Sequence, residues 1–187
     1  MAAPVRVLGF SGSLRKGSYN SALLRAASEV LPEGMSLQIF DLSPIPLYNA
    51  DVEAAGVPEI VGNFKARIAA ADALLIATPE YNYSIPGVLK NAIDWASRPP
   101  NASPLNGKPL AIMGASNGPG GTIRAQMHLR HVCVFTNMLP LNKPEVRIIR
   151  AAEKFDAEGL LTDEATRKEL RALLEALAAW TRRLRGG

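Results

Sequence analysis

Five apolar, strand-length runs alternate with helical segments along the chain, and this alternation predicts an α/β protein: a five-stranded parallel sheet with helices on both faces. Two further observations agree. The runs at 71–78 and 110–115 are almost continuously apolar, as strands covered on both faces must be. Residues 9–24, GFSGSLRKGSYNSALL, pass from an apolar strand through a polar, glycine-spaced loop directly into a helix, the layout of a ligand loop at a strand's carboxyl end. The chain has 187 residues, 48% of them hydrophobic, a one-domain length with enough apolar surface for a core. A single domain over 1–187 is expected.

Each element can be justified in order. Val5, Val7, Leu8 and Phe10 form the first strand, and Leu23, Leu24, Ala27, Val30 and Leu31 recur at helical spacing. After Pro32 and Gly34, residues Leu37, Ile39 and Leu42 mark a second strand. Residues 43–56, SPIPLYNADVEAAG, form a loop too long for a tight turn, of the kind that lines sites. Pro58 opens a helix through Ile60, Val61, Phe64 and Ile68; ADALLIAT at 71–78 is the third strand; a helix runs from about Ile85 to Ser97. LAIMGA at 110–115 is the fourth strand, followed by a helix through Ile123, Met127, Leu129, Val132 and Phe135, and 146–149 can supply a fifth strand. The last helix is expected to start at Thr162 as N-cap, with Asp163 and Glu164 in its first turn, and to repeat Leu170, Leu173, Leu174, Leu177 and Leu184. Right-handed crossovers then leave the flavodoxin-like strand order 2-1-3-4-5, a three-layer sandwich.

In such a sheet, ligands bind beyond the carboxyl ends of the strands where the order reverses. Three loops meet there: 11–20, 79–84 and 116–121. The first opens a helix, whose unsatisfied N–H groups and dipole favour an anion, and Ser11, Ser13, Arg15, Ser18 and Asn20 add donors. Gly12 to Ser18 spells G-x-x-x-x-G-S but lacks the lysine of a nucleoside-triphosphate loop, and the G-x-G-x-x-G of a dinucleotide site is absent. Hydroxyl and amide donors closing around one terminal group suit a monophosphate. The second loop, TPEYNYSIPG at 78–87, pairs two prolines with Tyr81, Asn82 and Tyr83; alone it could be an ordinary turn with Ser84 as N-cap, but beside the phosphate loop it suits a phosphate-tailed planar heterocycle, a description that FMN meets.

These motifs carry a resemblance. GSLRKGSYN at 12–20, TPEYNYSIPGVLKNAIDW at 78–95, LNGKP at 105–109 and LNKPE at 141–145 together resemble the NADPH-dependent FMN reductase family, above all its soluble quinone and chromate reductase branch. The resemblance implies that Ser11, Ser13, Arg15, Ser18, Tyr19 and Asn20 hold the FMN phosphate, that Pro79, Glu80, Tyr81, Asn82 and Tyr83 contact the isoalloxazine, and that Ser116, Asn117 and Gly118 complete the ring site. It implies NADPH or NADH as electron donor, a quinone, chromate or an azo compound as acceptor, ping-pong hydride transfer through the flavin N5, and a homodimer or homotetramer. The cofactor carries the difficult step, so no catalytic side chain is demanded. Two rival readings are a reductase that releases its flavin and a flavodoxin-like electron carrier with no substrate pocket; such carriers are usually acidic, and a pI near 9.4 opposes the second.

Other motifs point to other chemistries less well. Gly114 to Gly118, GASNG, matches a hydrolase nucleophile elbow, but the only histidines, His128 and His131, lie in the very next helix, with none further along to follow an acid. Those histidines sit three apart with no carboxylate or cysteine at ligand spacing, so both are expected on a helix surface and no metal site is expected. The single cysteine, Cys133, lies between two valines and reads as a buried small hydrophobe. Trp95 and Trp180 read as packing residues, and Asp41, after the second strand, as a turn residue rather than the acid that grips a ribose. A net charge of +4 without a basic, aromatic-interleaved stripe excludes nucleic acid. The lack of a signal peptide, of a stretch of ~18 apolar residues and of paired cysteines predicts a cytoplasmic protein with no membrane partner.

Overall fold

A computed structural model describes residues 4–186. Its strands and helices follow in the order β1 (Val5–Ser11), α1 (Tyr19–Glu29), β2 (Met35–Phe40), α2 (Ala50–Ala55), α3 (Glu59–Ala70), β3 (Ala73–Ala77), α4 (Gly87–Ala96), β4 (Pro109–Ala115), α5 (Ile123–Thr136), β5 (Leu139–Pro140), β6 (Val146–Ile148) and α6 (Glu164–Leu184). The sheet is parallel throughout, in the order β2-β1-β3-β4-β5 with β6 also on β4, the flavodoxin-like arrangement expected from the sequence.

Side-chain alternation in the strands divides the core in two. Val5 and Val7 of β1 pack with Leu23, Met113, Leu170 and Leu174 beneath α1 and α6, whereas Leu8 and Phe10 pack with Phe64, Leu89, Trp95 and Leu129 beneath α3, α4 and α5. Phe10 meets Phe64 edge to face at 5.4 Å between ring centroids, a favoured aromatic geometry. Full burial of each such side chain contributes about 1.5–3 kcal/mol. The two central strands, β3 and β4, are buried at every residue, which explains their unbroken apolar runs.

Several boundaries differ from the sequence expectation. The fifth strand is in two pieces: Leu139–Pro140 pairs with Pro109–Leu110, and Val146–Ile148 pairs with Met113–Ala115. The Leu141 N–H still reaches Leu110 O at 2.7 Å, and Pro144, with no N–H to donate, lies in the gap before pairing resumes at Val146. Leu42 lies beyond β2, and the 43–56 loop contains the short helix α2, capped by the Asn49 side chain. α4 begins at Gly87 with Pro86 as N-cap, two residues later than expected. The N-cap of α6 is Asp163, not Thr162: the Asp163 carboxylate accepts the Thr166 N–H at 2.8 Å. That bond is stronger than a threonine hydroxyl could offer because the acceptor is charged.

The long loop after β2 is clamped to α4. Asn91 accepts the Tyr48 N–H at 2.7 Å and donates to Pro46 O at 2.8 Å, and Trp95 donates its indole N–H to the same carbonyl at 2.9 Å. Trp95 is therefore a buried packing residue, as expected. Trp180 also packs, donating to Leu139 O.

Candidate active site

The site is assembled by the three loops that follow β1, β3 and β4. At the first, Ser18 adopts extended backbone geometry and accepts the Ser21 N–H through its hydroxyl at 3.3 Å, capping α1. The N–H groups of Tyr19 and Asn20 precede that bond in the first turn and have no acceptor within the helix. Ser11 accepts the Ser13 N–H at 3.1 Å and so fixes the start of the loop. The exposed Arg15 guanidinium lies over the Tyr19 ring, 5.5 Å from its centroid. Gly12 has a steric reason: a Cβ there would stand 3.2 Å from the Leu89 Cβ and 3.4 Å from the Pro79 Cδ, so the bare backbone lets this loop lie on α4 and the second loop.

The second loop is a rigid turn. Tyr81 and Ser84 exchange N–H to C=O bonds at 3.0 and 2.9 Å, and the two residues between them, Asn82 and Tyr83, both have positive φ, 51° and 65°. This is a two-residue turn of the primed type. Ser84 closes the turn and is not an N-cap. A tyrosine in the left-handed region costs on the order of 1 kcal/mol or more and persists where its surroundings enforce it.

Here α5 does so through three contacts. Glu80 accepts the N–H groups of Arg124 and Ala125 at 2.9 and 3.2 Å and pairs with the Arg124 guanidinium; that guanidinium stacks 3.9 Å from the Tyr83 centroid; and Ser84 Oγ lies 2.6 Å from His128 Nδ1. Glu80 thus serves α5 with its carboxylate and the cleft with the rest of the residue.

The third loop hangs on β4. Gly114 is obligatory there, since a Cβ would fall 2.1 Å from Thr122 Oγ1 and 2.4 Å from Thr78 O. This packing explains the first glycine of the GASNG sequence. Ser116 accepts the Gly118 N–H at 3.1 Å, and Asn117 turns its carboxamide to the Ala152 N–H at 2.8 Å.

A cleft of about 160 Å³ lies between the loops, bordered by Ser13, Arg15, Ser18, Tyr19, Asn20, Pro79, Glu80, Tyr81, Ala115 and Ser116. Nine of the expected site residues therefore share one cleft. Ser11 does not border it but fixes the start of the first loop, Asn82 and Tyr83 form the exposed tip of the turn, and Asn117 and Gly118 shape the third loop without bordering the cleft. Ala115, Arg124 and His128 were not among the expected residues. Arg124 and His128 carried no signal in the sequence, because only the packing of α5 brings them to the 80–84 turn. The two histidines are exposed, as expected, and burial pushes the Cys133 thiol up to about 12, which keeps it protonated and inert.

The chemistry of this donor set fits FMN. Free helix N–H groups, serine hydroxyls and an uncommitted arginine suit a monophosphate, and the proline-flanked turn opposite them suits a flat ring. Fold and site together define the class: a flavodoxin-like α/β protein whose donor-rich start of α1 shares one cleft with Pro79, Glu80 and Tyr81.

Comparison with known proteins makes this specific. The family model for NADPH-dependent FMN reductase matches residues 5–153, and the chain belongs to that family. It is 59% identical, over all of both chains, to the NAD(P)H-dependent FMN reductase PA1204 of Pseudomonas aeruginosa, and 48% identical to an NAD(P)H:quinone oxidoreductase of Solanum tuberosum, covering 97% of this chain and 95% of that one. Among solved structures it superposes on FerB, a flavoenzyme NAD(P)H:(acceptor) oxidoreductase of Paracoccus denitrificans, with a TM-score of 0.87 at 37% identity, covering 96% and 98% of the two chains. The protein is accordingly an FMN-dependent NAD(P)H oxidoreductase, and the reading as a simple electron carrier falls.

Proposed function

We propose that this enzyme passes electrons from a nicotinamide nucleotide to quinones, with FMN held throughout turnover and the whole chain, 1–187, acting as one FMN-binding domain. The observation that carries the reading is the meeting of the α1 cradle with Pro79, Glu80 and Tyr81, the stem of the 81–84 turn, across one cleft. FMN, when bound, supplies hydride acceptance and donation at one ring face. Ser13, Arg15, Ser18 and the free N–H groups of Tyr19 and Asn20 would grip the phosphate; Ser11 fixes the start of the loop and Asn20 ties it to β4. Backbone N–H groups of this turn would stabilise negative charge on the reduced ring of bound FMN, as an oxyanion hole does. Because α5 and two prolines already fix the turn, little ordering cost remains at binding. Named quinone oxidoreductases among the relatives support the choice of acceptor; chromate and azo compounds are further oxidants that the same face would serve.

We further propose a homodimer, or a homotetramer built from dimers. α5 leaves Met127, Val134 and Phe135 exposed along its outer side, 58%, 78% and 83% respectively, and large apolar groups in one run on a helix mark a contact surface. The fit is with a second copy of the chain, since the run ends at the 81–84 turn and would bring the partner to the site. No helix among the described residues is long and apolar enough to cross a membrane, and the cytoplasm is the proposed compartment.

The test is kinetic. Lines at varied NADPH and fixed quinone levels should be parallel, and quinone reduction should need no added flavin. Stoichiometric capture of released flavin by a second flavin-dependent enzyme under anaerobic conditions would instead make the protein a flavin-supplying reductase.

A further inference from the structure

Arg15 stands at the open end of a stack of three side chains that begins in the cleft and ends outside it. Its guanidinium folds back across its own loop: the Ser18 N–H donates to Arg15 O at 3.0 Å, closing a turn over residues 15–18, and a Cβ on Gly17 would lie 3.3 Å from the guanidinium. The group then lies over the Tyr19 ring, 5.5 Å from its centroid. That ring is backed in turn by Phe155, with 5.4 Å between centroids and 35° between planes. Arg15 and Tyr19 border the cleft, whereas Phe155 does not and is buried.

Phe155 is the fixed end of this stack. It forms an antiparallel bridge with Leu161, flanked by the Asp156 N–H donating to Leu160 O at 3.0 Å and the Thr162 N–H donating to Lys154 O at 2.9 Å. Lys154 pairs at 2.9 Å with Asp163, the residue that caps α6. Its side chain belongs to the core beneath α1 and α6, with Leu161 and Leu170. Arg15, by contrast, is a long, exposed side chain on a loop. Such a side chain loses rotamer freedom when it grips an anion, and that cost falls if a neighbour already confines it. A guanidinium stacked on an aromatic face is confined in this way while its N–H groups, which lie in its own plane, stay available to donate.

We propose that Phe155 is a positioning residue for the cofactor's phosphate: it fixes the Tyr19 ring as the platform that holds Arg15 at the cleft. The proposal rests on the reading that Arg15 meets the FMN phosphate. Phe155 acts through Tyr19 and Arg15, so its influence is confined to ligands that carry the phosphate. A merely structural phenylalanine would affect every flavin alike.

The experiment is equilibrium dialysis of the full-length protein against FMN and, separately, against riboflavin. Phe155→Ala should raise the Kd for FMN about three- to tenfold and leave that for riboflavin within about twofold. Phe155→Leu, which keeps the core filled but has no flat face, should give a smaller loss in the same direction. Placed in an Arg15→Ala background, neither substitution should shift the FMN Kd by more than about 1.5-fold, because the residue they position is gone.

Equal losses for the two flavins overturn the proposal, as does a loss of FMN affinity that is the same with and without Arg15. An unchanged FMN Kd in both Phe155 variants also overturns it. If Phe155→Ala does not fold, Phe155→Leu decides by the same comparisons. The underlying phosphate placement fails separately: Arg15→Ala alone would then leave FMN binding unchanged, and the positioning role would fall with it.

Discussion

The Asn20 carboxamide is bonded at two points to Ala115, a residue 95 positions away: its Oδ1 accepts the Ala115 N–H at 2.9 Å and its Nδ2 donates to the Ala115 carbonyl at 3.0 Å. Both partners are buried, so this link ties the first turn of α1 to the last residue of β4 and sets the distance between the phosphate loop and the third loop. Asn20→Ala should leave a buried N–H and a buried C=O unpaired. A loss of about 2–4 kcal/mol in unfolding free energy is expected, together with weaker FMN retention. Urea denaturation and flavin content after desalting check both, and Asn20→Asp should not restore them, since it removes the donor and buries a charge.

Arg15 is expected to act on the phosphate alone. Arg15→Ala should weaken FMN binding by about 1.5–3 kcal/mol, the worth of a charge-assisted bond, and leave riboflavin binding nearly unchanged. Equal losses for the two flavins in a fluorescence titration would remove Arg15 from the phosphate site.

Gly114→Ala tests the packing behind the third loop. The added methyl would meet Thr122 Oγ1 at 2.1 Å and the Thr78 carbonyl at 2.4 Å, one of them backbone. Overpacking of this kind costs about 1–3 kcal/mol. The signature is a lowered Tm accompanied by loss of bound flavin, because Thr78 leads directly into the ring loop.

At the opposite end of the sheet, Asp72 receives the Arg6 N–H at 2.9 Å, the Arg6 guanidinium at 2.9 Å, and Arg185 of the last helix. Burial by itself raises the Asp72 pKa; the bonds from Arg6 and Arg185 outweigh it and hold the carboxyl well below its ordinary value of 3.8. The folded-state value is depressed, so the stabilisation is fully present above the unfolded value and is lost as pH falls through the folded one. Asp72→Asn should therefore cost about 1.5–3 kcal/mol at neutral pH. The gap between wild type and variant should hold down to about pH 5 and close only in stronger acid, as thermal melts across a pH series would record.

Assembly is expected to depend on α5. Met127→Asp should shift the mass measured by light scattering from dimer toward monomer, because an exposed apolar side chain contributes through burial that a charge forfeits. A monomeric wild type with full activity at catalytic concentrations would sink the proposed dimer.

The sequence by itself determined the sheet order, the positions of the loops after β1, β3 and β4, and the donor-rich loop that opens α1. Those features are written locally: strand-length apolar runs, helical spacing after Ser18, and a loop whose donors are adjacent in the chain. Tertiary structure decided what depends on residues far apart. It split the fifth strand between Leu141 and Val146, moved the cap of α6 to Asp163, and turned Asn117 to Ala152.

It also gave Glu80 and Tyr83 their partners on α5, more than 40 positions later, where Arg124 and His128 hold the 81–84 turn in left-handed geometry. No periodicity encodes such contacts. A side chain's hydrogen-bond partner is fixed by which helix lands beside it, and that is a property of packing rather than of spacing along the chain.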